Sequence, residues 1–225
     1  MTYTFLLLDL FLLFIPFCLL LDHRKIGFSQ LVSAIIPAFL VTIIFTEMAI
    51  FWANLKVLTF NNAYLLGPYY RWLPVEFYLF TFAFTFTGLC LYFYLNAKFP
   101  SNHLQKYSLA LSNIVLGLCI AFLFFAYTKW YSVLIFGVLF LLLAFIEYKN
   151  ELRFMYRFYR AFALCLLLFF VCYGILCNLP VLSYKEDETV GFSLFKIPFE
   201  NYFLVMAMLL FGVYVSEFIK SRRVK

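Results

Sequence analysis

The chain has 225 residues, of which 66% are hydrophobic and 12% charged, with a formal net charge of +6. A soluble domain is nearer half apolar, so this composition, with a mean hydropathy of +0.97, excludes one. The apolar runs are long and unbroken, which excludes a barrel of short alternating strands and predicts an all-α integral membrane protein.

A membrane-spanning helix needs about 20 apolar residues. Seven runs fit, at 4–21, 31–52, 73–95, 107–127, 130–147, 161–179 and 198–218. The first has no basic segment before it, and Arg24 and Lys25 follow it, so it is expected to stay as a helix rather than be cleaved. Asp9 falls near its start and is expected at the membrane interface. Glu47 falls late in the second run, about one turn from the outer surface. The connections at 53–72 and 180–197 are the two longest, and the runs that follow them open with "LPVEFYLF" and "IPFEN". The fourth and fifth runs are separated by a short hairpin, "TKW".

Cys18, Cys90, Cys119, Cys165, Cys172 and Cys177 all lie inside apolar runs without C-x-x-C spacing, and read as small core residues. His23 and His103 sit in connections, and no metal site is expected. No dinucleotide, P-loop, zinc-protease or serine-hydrolase motif is present, which argues against those chemistries.

With seven spans, Lys56, Arg71, Lys129, Lys185 and Lys196 share the side of the N-terminus, and the other twelve basic residues lie opposite. The positive-inside rule puts the twelve in the cytoplasm. The expected protein is multi-pass in the cell (inner) membrane, with the N-terminus and both long connections outside and the C-terminus inside. The positive charge then meets anionic lipid headgroups and calls for no nucleic acid. Lys149, Arg153, Arg157 and Arg160 are spaced to share one helical face and read as a cytoplasmic anchor on those headgroups.

Pro74 and Pro198 are 124 residues apart, and the acid–base helix ends at Asp22 and Glu147 are 125 apart. Helices 1–3 and 5–7 therefore read as two parallel three-helix repeats joined by a connector helix. The implied division is 1–97, 98–128, 129–219 and a basic tail at 220–225. Both repeats place Pro-x-Glu at the head of their third helix. Proline loses nothing in a first turn, and glutamate there meets free amides and the helix dipole. That accounts for a good helix start. Recurrence of the acid at the hydrocarbon boundary, in both copies, also marks Glu76 and Glu200 as site candidates.

"FNNAYLLG" (Phe60 to Gly67), followed closely by "LPVEFYLF" (Leu73 to Phe80), resembles the signature of the lycopene cyclase domain family. That signature is an aromatic-Asn loop ending in Gly, then Leu-Pro-x-Glu-Glu. The resemblance covers nearly the whole chain, and "VYVSEF", with Tyr214 and Glu217, is similar to the Tyr-Glu that closes a repeat. The second copy keeps "IPFEN" but lacks the Asn and Tyr pattern in its loop. The adjacent second acid is Phe77 in one copy and Asn201 in the other.

The resemblance implies an acid-initiated, redox-neutral cyclisation of carotenoid ψ-ends into ionone rings, without a cofactor. It implies Glu76 and Glu200 as catalytic carboxyls, proton donor and acceptor. It places Glu47, Phe60, Asn61, Tyr64, Trp72, Phe77 and Asn201 in the substrate-binding set, although Asn61 and Tyr64 also suit a turn. A dry, aromatic pocket fits a cationic intermediate. The loss of both second acids also fits another function: a non-catalytic carotenoid- or lipid-binding subunit working with membrane protein partners.

Overall fold

The computed structural model describes residues 3–22, 27–101, 105–149 and 154–224. His23, Arg24, Lys25, His103, Arg153 and Lys225 lie outside the described residues. The described residues form an all-α bundle of seven helices: α1 (Thr4–Leu20), α2 (Phe28–Asn54), α3 (Val75–Lys98), α4 (Ser108–Phe125), α5 (Trp130–Lys149), α6 (Met155–Asn178) and α7 (Glu200–Val224). Six are long and apolar enough to cross a membrane, and α1 is a shorter apolar helix of 17 residues. The protein is a multi-pass membrane protein.

The two long connections are ordered, and they follow the same path. The first holds β1 (Leu58–Phe60), a 3₁₀ turn (Asn62–Tyr64), β2 (Tyr69–Tyr70) and β3 (Leu73–Pro74). The second holds β4 (Leu182–Tyr184), a 3₁₀ turn (Glu186–Glu188), β5 (Ser193–Leu194) and β6 (Ile197–Pro198). Each element recurs 124 residues on. So do three pairs of residues at positive φ, although Lys56 has no such counterpart: Gly67 and Gly191, Arg71 and Phe195, Trp72 and Lys196. The last two pairs form two-residue hairpin turns between β2 and β3 and between β5 and β6. Such turns need positive φ at both central positions, where glycine or asparagine is preferred. Bulky residues fill all four, at a cost of about 1–2 kcal/mol each.

The two connections also join. β1 pairs antiparallel with β4, and the central pair is Thr59 with Ser183, a residue and its counterpart 124 positions on. Asn61 N–H donates to the Val181 carbonyl (3.1 Å), and Lys185 N–H to the Val57 carbonyl (2.9 Å), which closes the strap symmetrically.

Below the strap, α3 and α7 cross at matching glycines. A Cβ on Gly88 would collide with the Leu209 side chain, and one on Gly212 would lie 3.5 Å from Thr85. Leu209 is the counterpart of Thr85, so each glycine admits the same position of the other helix. Small residues allow such close approach in membrane bundles. The buried core runs along this crossing, through Phe80, Phe84, Phe169 and Leu210.

The basic run from Lys149 to Arg160 differs from the single face its spacing suggests. Lys149 ends α5, whereas Arg157 and Arg160 lie on α6. Arg160 donates to the carbonyls of Leu95 (3.1 Å) and Phe99 (2.7 Å) and to Asn96 Oδ1 (2.8 Å). It therefore caps the end of α3, whose last carbonyls have no partners within the helix.

Candidate functional site

Glu76 and Glu200 sit in the first turns of α3 and α7 and are 2% and 0% exposed. Each reaches back to its own loop. Glu76 Oε1 accepts from the Leu66 amide at 2.5 Å, and Glu200 Oε1 from the Val190 amide at 2.5 Å. Leu66 and Val190 are counterparts, each just before the positive-φ glycine of its loop. Only glycine takes that conformation without strain, so the turn that presents the amide is fixed by Gly67 and Gly191. Gly67→Ala is expected to cost about 1–2 kcal/mol and to pull the Leu66 amide off Glu76. A detergent-solubilised melt should fall by several degrees.

The surroundings of the two glutamates differ. Glu200 Oε1 also accepts from Ser132 Oγ on α5, at 2.6 Å. Glu76 has Asp9 of α1 within electrostatic reach. Tyr69 lies close as well. Burial, and then the Glu76 carboxylate, push its phenol up, and its hydroxyl donates to Asn62 Oδ1 at 2.5 Å. The second oxygens, Glu76 Oε2 and Glu200 Oε2, are buried without a partner.

Phe77 and Asn201, one residue on, turn to the other side. Both border a crevice between α3, α6 and α7 made of two adjoining hollows of about 30 and 40 Å³. Phe77, Thr81, Tyr173, Leu204 and Met208 line both hollows. Phe80, Phe84 and Phe169 wall one, and Trp52, Tyr131 and Tyr184 the other. The Asn201 amide oxygen accepts from the Tyr131 hydroxyl, and Tyr173 and Tyr184 are bonded through their hydroxyls. Burial is the main force that raises the Tyr184 phenol. Neither glutamate lines these two hollows.

The remaining predicted residues scatter. Phe60 packs edge-on against Phe77 at 5.5 Å. Asn61 caps the 3₁₀ turn by accepting from the Ala63 amide at 3.1 Å, and Tyr64 is half-buried behind it. Trp72 is exposed at the hairpin tip. Glu47 accepts from Arg71 at 2.5 Å in an exposed ion pair, and lines a surface groove with Trp72. These residues are not brought to the buried carboxyls.

Asp9 is the residue that sequence reasoning underrated. It is fully buried, and neither of its oxygens has a partner, where an interfacial position was expected. The available signal was a lone acid inside an otherwise uncharged run.

Seven apolar helices with carboxyls buried at matching depths define a class: multi-pass membrane proteins that keep isolated ionisable groups within the bundle. Within that class, the chain belongs to the lycopene cyclase family, whose family model (Lycopene cyclase) matches residues 1–95 and 128–219. The two stretches agree with a tandem of the family's domain. No curated protein and no solved structure matches the chain.

Proposed function

We propose that the protein is a membrane carotenoid cyclase. It closes ionone rings on ψ-ended chains such as lycopene, by protonation, ring closure and proton loss. One observation carries this reading. A buried glutamate at the head of α3 has one oxygen held by a loop amide and the other free, and its neighbour Phe77 borders a crevice walled by aromatic rings. A carboxyl so placed can exchange a proton with a hydrocarbon, and the rings favour a cation while water is kept out. Glu76 is the proton-handling carboxyl of the first half, and Glu200 is its counterpart in the second. Phe77 and Asn201 border the space for the end group. Each hollow has only about the volume of a water molecule, so the Phe77, Phe80 and Tyr173 side chains turn to admit it.

The halves are units 1–97 and 129–219, with α4 as connector and 220–225 as a basic tail. The N-terminus and the strap face outward, and the C-terminus faces the cytoplasm of a cell (inner) membrane. Lipids surround the bundle.

Expression in cells that accumulate lycopene tests the reading. Products with one or two rings are expected. Unchanged lycopene, with the protein present in the membrane and carotenoid co-purifying with it, would assign the non-catalytic binding role instead.

A further inference from the structure

α1 lies along α3 in a register fixed at two points. Phe5 packs edge-on against Phe80 at 5.8 Å, and Thr87 Oγ1 donates to the Leu12 carbonyl at 2.7 Å. Carried between those points, the register sets Asp9 opposite Phe84, about two turns deeper than Glu76. Phe84 walls the hollow together with Phe80, Phe169 and Tyr173. Cys172, on α6 next to Tyr173, lies within reach of the Asp9 charge. Asp9 is thus at the depth of the hollow, behind the Phe80 and Phe84 rings, whereas Glu76 lies nearer the start of α3, next to Phe77, which borders the hollow.

Two features separate Asp9 from a structural acid. It is 0% exposed, and both of its oxygens lack a partner. A carboxylate left so would cost far more than the neutral acid, so the residue sits there with its proton and without a structural bond. The second half has no equivalent: α5 carries no acid before Glu147, at its inner end. Ser132 meets Glu200 in its place.

We infer that Asp9 is the second carboxyl that the family motif lacks at Phe77, so that Asp9 and Glu76 form a site of ring closure in the first half. This rests on the cyclase reading above. The Asp9 O–H gives its proton to the terminal C=C of the ψ-end. The electron pair of the neighbouring C=C forms the ring bond to the resulting cation. The Glu76 carboxylate removes a ring proton, and that C–H pair becomes the new C=C. The product is an isomer of the substrate, and the cycle closes when the proton on Glu76 returns to Asp9.

The test is carotenoid analysis in lycopene-accumulating cells, with membrane abundance followed on a fluorescent fusion. Asp9→Asn is expected to lower ring formation at least ~100-fold at unchanged abundance. Asp9→Leu should behave as Asp9→Asn, while Asp9→Glu restores measurable rings. Together this pair keeps the test open if Asp9→Asn fails to accumulate. Ring formation by Asp9→Asn or Asp9→Leu at wild-type rate overturns the inference and leaves the cyclase reading standing. Absence of rings with the unaltered chain overturns the cyclase reading itself.

Discussion

Glu76→Gln is expected to remove ring formation, by ~100-fold or more, while the protein accumulates normally. The two halves of this expectation have separate causes. Glutamine keeps the length and the carbonyl oxygen of the side chain, so the Leu66 amide still finds its acceptor. The loop and the start of α3 should therefore hold, with only the charge-assisted part of that bond lost. The free oxygen Oε2 is replaced by an amide nitrogen, which cannot take a proton from a carbocation. Product analysis reads the first effect, and membrane fluorescence of a fusion reads the second. A Glu76→Gln protein that still forms rings at normal rate would remove Glu76 from the chemistry. A protein lost from the membrane would show instead that the carboxylate is chiefly structural.

Gly88→Leu is expected to have the largest effect on the fold. The glycine is the contact point of α3 on α7, and the first carbon added there already collides with Leu209, which is itself buried. Forcing several methylenes into a packed crossing costs roughly 3 kcal/mol, and it pushes apart the two helices that border the crevice. The variant should accumulate poorly and melt well below the parent in detergent. Gly117→Leu is the control, because nothing lies within 4 Å of a Cβ at that position. Its melt should stay within a degree or two of the parent. Equal behaviour of the two variants would show that the α3–α7 crossing does not limit stability.

Much of this architecture is legible in the residues, because the membrane makes helices obligatory and hydropathy marks them. The spacing of Pro74 and Pro198 carries over to the loops, element by element. The agreement between those loops is less legible. "YKEDETVGFSLFK" shares little with its counterpart beyond one glycine, yet it repeats the same 3₁₀ turn, hairpin and amide donor. Backbone geometry there is set by Gly67 and Gly191 and by strained turns that several residue types occupy, so side-chain identity carries little of the signal. The loss of the adjoining acids was legible at Phe77 and Asn201, but not which way those positions face. That follows from helix phase: one residue of α3 turns to the loop and α1, and the next to the crevice. Asp9 was visible as a charge in a greasy run. Its burial depends on how α1 lies along α3, which no local pattern encodes. Arg160 looked like a surface cation because its partners, two main-chain carbonyls and the Asn96 side chain, are 61 to 65 residues away in sequence.

The strap through Thr59 and Ser183 has a consequence for how such a molecule diverges. A residue meeting its own counterpart across a rotation axis is the contact that two identical subunits make. In a homodimer any change appears twice, so a carboxyl cannot be shed from one side alone. Joined in a single polypeptide, the two sides answer to selection separately. One can change while the other keeps its groups, and the contact between Thr59 and Ser183 still holds the two sides together.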